Sequence, residues 1–341
     1  MALSDYHATT GDWRAQLKRN EKKTKQVIVA FFLIYIIVGL VVDCVVLMSQ
    51  YPQASLGQCL AALLTLKVTP YATLLLIAIA ALSLMVTFAM YDKLMLLGTQ
   101  SRQITPETAQ STQERQLYNV VEEMKVAAGM PFMPKVYIIE ANYMNAFASG
   151  YSEKSAMVAI TRGLMEKLDR SELSAVMAHE LSHIRHHDIK LTLMVAILSN
   201  ILLMVVDILF YTIIFKRDRR GDNRLFAIIL ILRYVLPIIT VLLALFLSRT
   251  REYMADAGCV ELMRDNEPMA RALLKISQDH EANAEAYQQE YGQTAHEQVR
   301  QASYLYDPSK VNTFKSITSA FSTHPSIESR LAAIGFVRKK Q

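Results

Sequence analysis

The sequence predicts a membrane α-helical protein with four spans and an α+β domain on the cytoplasmic side. Three observations predict it. Of the 341 residues, 52% are apolar and 20% charged, and the apolar excess is gathered into runs. Basic residues crowd in front of the first run. The polar sequence falls into two pieces of about 95 residues each, which together suffice for one domain.

The N-terminal arm, residues 1–25, carries Arg14, Lys18, Arg19, Lys22, Lys23 and Lys25. Residues 26–42 then hold no charge, and Asp43 is the only one before Lys67. Residues 68–91 are again uncharged. About 20 apolar residues cross a bilayer core, so 26–96 reads as a first transmembrane hairpin. Lys67 is the only basic residue between its legs. The positive-inside rule then places the N-terminus and the domain after the hairpin in the cytoplasm. No cleavage signature follows the first span, which makes it an anchor and not a removed signal.

Residues 97–190 are the first part of the polar domain. Short strands are expected near 135–139 and 156–161, with helices around them. The stretch His179-Glu180-Leu181-Ser182-His183 spells H-E-x-x-H. On a helix, residues four apart share a face, so His179 and His183 can offer imidazole nitrogens to one zinc ion. Glu180 stands beside the ion and not on it, where it can accept a proton from an attacking water. Asp169 and Glu172 form a capping box for that helix, and no Pro or Gly interrupts it from Ser171 to Asp188. A third ligand is needed. The Gly and His of the metzincin extension are absent, with His186 and Ile189 in their places. A distant carboxylate is the better candidate.

Residues 191–215 and 225–248 contain one charge each, Asp207 and Arg233. They predict a second hairpin, 191–248. If His183 before it and the third ligand after it share one ion, the chain crosses an even number of times. The tip, 216–224, holds five basic and two acidic residues. Full spanning puts that tip outside, against the positive-inside tendency; entry without crossing is the alternative. Asp207 lies nine residues before Lys216, and Arg233 nine after Arg224. Equal depth predicts an ion pair within the hairpin.

The second part of the domain, 249–341, opens with Arg251-Glu252-Tyr253-Met254-Ala255-Asp256. Glu252 and Asp256 are one turn apart. Either Glu252 binds the ion while Asp256 holds a ligand imidazole, or both lie on a solvated face. The polar stretch 282–305 reads as a solvated helix or a flap over the cleft.

These motifs together resemble the HtpX-type membrane zinc metallopeptidases. The likeness rests on HELSH, the hairpin and Arg251 to Asp256. Met133-Pro134-Lys135-Val136, Asn145-Ala146-Phe147-Ala148, Thr161-Arg162-Gly163 and Thr323-His324-Pro325 with Arg330 extend it over 28–335. The resemblance implies a zincin-like domain with one Zn2+ per chain, held by His179, His183 and Glu252. Glu180 is then the general base. Asn145, Ala146, Phe147 and Ala148 form an edge strand that pairs with substrate backbone. His324 is either an oxyanion donor or a turn residue before Pro325. His186 and His187 depart from the family's usual Asn-Gly.

The implied activity is that of a zinc endopeptidase of the bacterial inner membrane. Its site faces the cytoplasm, and its work is quality control of membrane or unfolded proteins under stress. The alternatives are a maturation protease of the CAAX prenyl-protease type and a non-catalytic zinc-binding scaffold. Expected partners are protein substrates and the lipid bilayer, with a homo-oligomer left open. The net charge of +5 is largely juxtamembrane Lys and Arg, which suits anionic headgroups and calls for no nucleic acid. Cys44 and Cys59 can pair if the outer face is oxidising, and Cys259 is expected reduced.

Overall fold

The apolar runs fold as helices, because a backbone surrounded by apolar groups must satisfy its own hydrogen bonds. The computed structural model describes residues 3–8, 12–95, 100–150, 154–215, 223–293, 304–306 and 324–339. In chain order the elements are β1 (Tyr6–Ala8), α1 (Trp13–Gln50), α2 (Leu56–Leu64), α3 (Tyr71–Met95), β2 (Ser101–Ile104) and α4 (Thr112–Ala127). There follow β3 (Lys135–Ile139), β4 (Ala146–Ser149), β5 (Met157–Thr161), α5 (Arg162–Lys167), α6 (Arg170–Arg185) and α7 (Asp188–Phe215). The chain continues through α8 (Asn223–Met263), α9 (Glu267–Ala282), α10 (Ala284–Gln293), α11 (Ile327–Ala333) and β6 (Phe336–Arg338). They form two compact units. One comprises Met1–Lys23, Phe88–Leu191 and Leu247–Gln341, the other Thr24–Thr87 and Thr192–Phe246.

The second unit is apolar and helical. Among the described residues, three helices are long and apolar enough to cross a membrane: α1, Met194–Ile214 within α7 and Arg224–Met263 within α8. The apolar stretch of α3, Tyr71–Thr87, is shorter. Asp43, the isolated acid of the first run, is buried. Its carboxylate accepts the backbone N–H groups of Ala72 at 2.8 Å and Thr73 at 3.0 Å, and the Thr73 hydroxyl at 2.6 Å. It therefore satisfies donors that the first turn of α3 leaves unpaired. A short helix, α2, interrupts the connection between α1 and α3. Ser55 and Gln58 start it with a capping box. Cys44 and Cys59 are free thiols within one buried apolar cluster.

Asp207 and Arg233 meet, as their equal depth predicts. Arg233 Nη1 lies 2.8 Å from Asp207 Oδ1, and the guanidinium rests 4.1 Å from the Phe210 ring centroid. The tip between them, 216–222, lies outside the described residues. A double-mutant cycle tests the pair. Asp207→Leu and Arg233→Leu should each destabilise by a few kcal/mol, and the double change by less than their sum, since neither charge is then left alone. Thermal melts in lipid nanodiscs read the cycle; simple additivity would show that the two charges do not interact.

The first unit is built on a mixed four-stranded sheet, ordered β2-β3-β5-β4. β3 and β5 run parallel, and β2 and β4 flank them antiparallel. β5 is buried along its whole length, which suits the continuous apolar sequence of an inner strand. β4 is an edge strand, and α6 packs against it. A separate two-stranded sheet joins β1 to β6, so the arm's first residues pair with residues at the far end of the chain.

Candidate metal centre

Helix α6 carries the H-E-x-x-H residues. It starts as its capping box predicts: the Asp169 side chain accepts the Glu172 N–H at 2.8 Å, and the Glu172 carboxylate accepts the Asp169 N–H at 2.9 Å. His179 and His183 come off one face, with Nε2 atoms 3.2 Å apart. Helix α8 supplies Glu252, whose oxygens lie 3.7 Å from each Nε2. Ligand atoms of these three buried residues all fall within 4.8 Å of one another.

Both imidazoles are held from behind. His179 Nδ1 is 3.0 Å from Asp256 Oδ1, and His183 Nδ1 is 3.0 Å from Asp188 Oδ2. Each carboxylate fixes the proton on Nδ1 and leaves the Nε2 lone pair facing inward. Two lone pairs 3.2 Å apart repel unless a cation lies between them. Nitrogens about 2.0–2.1 Å from one tetrahedral ion stand roughly 3.3 Å apart. Glu252 Oε2 is buried without a hydrogen bond. The donor set therefore fits a metal ion of zinc's size and ligand preference. Burial pushes the His179 pKa down to about 4, with the Arg330 cation adding to the fall and Asp256 opposing it. The imidazole is thus neutral, the form that binds metal.

Asp188 was not among the expected site residues, and its placement corrects the expected helix. α6 does not run on to Asp188. It ends at Arg185, and His187 takes a left-handed conformation with φ 53°. That reversal turns the first residue of α7 back toward His183. His186 caps α6, and its Nδ1 sits 2.8 Å from the Ser182 carbonyl. It faces its own helix end and not the cluster.

Arg330 is the second unanticipated member. It is 1% exposed and grips Asp256 with two bonds, Nε to Oδ2 at 2.9 Å and Nη2 to Oδ1 at 2.7 Å. Its Nη1 is 3.3 Å from Glu252 Oε2 and donates to the Leu305 carbonyl at 2.9 Å. One planar cation thus ties together the acid behind His179 and the carboxylate beside the imidazoles. Its Asp partner was legible in the sequence; the cation opposite it was visible only as part of the His324-Pro325 motif.

Glu180 is 1% exposed, and neither carboxylate oxygen makes a hydrogen bond. Burial pushes its pKa up to about 7, and the nearby Glu252 charge adds to the rise. His183, Arg330 and the Ala148 backbone amide act the other way, the last without reaching full hydrogen-bond geometry. His324 is buried, with Nδ1 3.4 Å from Glu252 Oε2; Thr323 lies outside the described residues.

The edge strand runs over Ala146–Ser149, one residue on from the Asn145–Ala148 that the resemblance implies, with Asn145 just before it. Asn145 pairs inward: its carbonyl accepts the Thr161 N–H. Alternation along a strand turns the amides and carbonyls of Ala146 and Ala148 outward. The Ala146 carbonyl already accepts the Leu305 N–H at 2.9 Å. The Asn145 amide donates to the Tyr306 carbonyl at 3.0 Å and accepts the Tyr306 N–H at 3.2 Å. Of the polar stretch 282–305, α10 is helical and residues 294–303 lie outside the described set.

Helices α6 and α8 come together at a glycine. A Cβ on Gly258 would stand 2.0 Å from Ser182 Oγ, next to His183. The Ser182 hydroxyl can rotate away, but its Cβ at 2.9 Å cannot, so Gly258→Ala presses the helix carrying Glu252 off the helix carrying both histidines. Metal retention should fall at least about tenfold, read by competition with a chelator. Unchanged retention would mean that the helix spacing does not set the cluster.

A buried cluster of two histidines and a carboxylate on two helices, with an unbonded glutamate beside it and an edge strand along it, defines a metallopeptidase. The match to the family model for peptidase family M48 covers residues 111–336. The chain belongs to that family, as an HtpX-like metalloprotease. A protease HtpX homolog of Helicobacter acinonychis is 39% identical over 318 residues, covering 93% of this chain and 96% of its own length. One from Listeria monocytogenes is 32% identical over 330 residues, covering 93% and 97%. The crystal structure of S. mikatae Ste24p aligns with 91% of this chain and 65% of that one, at a TM-score of 0.48 and 17% identity. That likeness is too slight to fix a fold. Together with the three long apolar helices, the HtpX relatives make this an integral membrane protein whose substrates are proteins.

Proposed function

We propose that the chain is a zinc-dependent endopeptidase that cleaves membrane or unfolded proteins at the cytoplasmic face of a bacterial inner membrane, in quality control. The single observation that carries this reading is the His179–His183–Glu252 cluster with both histidines locked by carboxylates. We assign the chain an arm at 1–25 and two membrane hairpins at 26–96 and 191–248. The catalytic domain is made of 97–190 and 249–341. The short apolar stretch of α3 completes a set of four spans. The basic residues of the arm, Arg14 to Lys25 in the first turns of α1, support the cytoplasmic orientation.

His179, His183 and Glu252 hold the zinc, which when bound supplies a Lewis acid for the scissile carbonyl and a lowered pKa for the attacking water. Glu180 takes the proton from that water and delivers it to the leaving amine. Asp256 and Asp188 hold the Nδ1 protons of the histidines and keep each Nε2 aimed at the cluster, and Arg330 holds Asp256. The outward edge of Asn145, Ala146, Phe147 and Ala148 receives the substrate as an added strand, with the Ala148 groups nearest Glu180. His324, beside the Glu252 carboxylate, is placed to donate a hydrogen bond toward charge that develops on the substrate oxygen.

Metal analysis, hydrolysis and labelling test the reading together. The purified chain should carry one zinc and cut an unfolded protein. In sealed vesicles, an impermeant maleimide should reach Ser4→Cys from the cytoplasmic side and Gln53→Cys from the other. A zinc-loaded chain without hydrolysis would leave a scaffold; labelling of Ser4→Cys from outside would invert the orientation.

A further inference from the structure

We infer that Tyr304-Leu305-Tyr306 is a built-in substrate mimic, seated on the edge strand where an extended peptide binds and displaced when one does. The inference rests on the proposed protease reading and goes beyond it. It assigns the contacts that seize substrate backbone and the side chain they prefer.

An incoming peptide is recognised first through its backbone, because every peptide has one. An edge strand offers outward N–H and C=O groups for that purpose. On β4 the first outward carbonyl, that of Ala146, accepts the Leu305 N–H at 2.9 Å. The Leu305 carbonyl accepts from Arg330 Nη1 at 2.9 Å. The Asn145 side chain clasps the next residue by both backbone groups, accepting the Tyr306 N–H at 3.2 Å and donating to the Tyr306 carbonyl at 3.0 Å. Two consecutive residues thus have all four backbone polar groups bonded to β4, the residue before it and one arginine.

None of these four bonds depends on the identity of Leu305 or Tyr306. They use only main-chain atoms on the bound side, so any extended dipeptide without proline can make them. The same Arg330 touches Glu252 and Asp256. The bound dipeptide therefore sits beside the candidate metal ligands and not at a remote clip. Leu305 is 2% exposed, so the position admits a large aliphatic side chain into a closed space. Tyr304 packs edge-on against Phe147 with centroids 5.7 Å apart, and Tyr306 lies 4.2 Å from the His280 ring. The preferred substrate is an unfolded stretch with a leucine-like residue between aromatic ones. Such stretches are buried in folded proteins and exposed when folding fails, which gives the edge a reason to be covered at rest.

Hydrogen exchange of the full chain in nanodiscs tests the inference. Glu180→Gln protein is used so that the peptide is not consumed. The probe is acetyl-Ala-Ser-Tyr-Leu-Tyr-Asp-amide, the chain's own sequence at 302–307. The Leu305 and Tyr306 amides should be protected without peptide and exchange at least about tenfold faster at saturation. Continued protection at saturating peptide would make the segment a structural clip and overturn the inference. In the wild-type background, Leu305→Asp should lower KM for a quenched peptide about tenfold, with kcat unchanged or raised. A lowered kcat with unchanged KM would also overturn it. Failure of wild type to hydrolyse any peptide would strike the protease reading alone, since exchange still reports displacement.

Discussion

Glu180→Gln should keep one metal ion per chain and lose hydrolysis by a factor of about 10^2–10^4, the range of a single general acid–base group. The side chain is nearly fully buried, and neither oxygen is committed to a hydrogen bond. Such a carboxylate is costly to maintain for structure alone. The amide is isosteric, carries no charge to desolvate and leaves His179 and His183 where they are. Folding and metal content should therefore survive while proton transfer does not. Burial pushes the carboxyl up to about 7, which places it near the pH where a group can both take and return a proton. The base works ionised. Activity should therefore fall as pH drops through the carboxyl's pKa in the working enzyme, at or below about 7, because a bound dication would draw it down. Metal content measured beside peptide turnover decides the matter. An active Glu180→Gln enzyme would remove Glu180 from the chemistry, and one that lost its metal would make Glu180 structural.

The parts of the site that were legible in the sequence are those written in local spacing. His179 and His183 stand four apart, and Glu252 and Asp256 four apart, so a helical reading puts each pair on one face. The charge-free runs likewise announced the long helices. The parts that were not legible join residues with no periodic relation. Asp188 reaches His183 only because His187 takes a left-handed turn, which nothing in the letters His-His-Asp requires. Asp43 caps a helix some thirty residues downstream. Leu305 finds Ala146 across 159 residues of chain. Long-range polar pairing leaves no pattern in one sequence, because either partner alone reads as an ordinary surface residue. The Asp207–Arg233 pair is the instructive exception. A symmetric hairpin converts equal distance from the tip into spatial contact, so its geometry could be read by counting.

Arg330→Met should destabilise the chain by about 3–5 kcal/mol and weaken metal binding about 10–100-fold. The guanidinium is 1% exposed and stands against two buried carboxylates, Asp256 and Glu252. Removing the cation that stands against both of them leaves their charge in a low-dielectric setting. The cost is that of stranded acids and not of one lost bond. The effect on metal follows through Asp256, which Arg330 holds by both oxygens while that acid orients His179. Without the clamp Asp256 can rotate, and His179 loses the partner that keeps its Nε2 lone pair aimed. Arg330→Lys separates the two roles. Lysine restores a positive charge but not the fork of two parallel donors. It should recover much of the stability and little of the metal affinity. Thermal melts and chelator competition on both variants measure the split. Full recovery of metal affinity by lysine would show that charge alone, and not the bidentate geometry, sets His179.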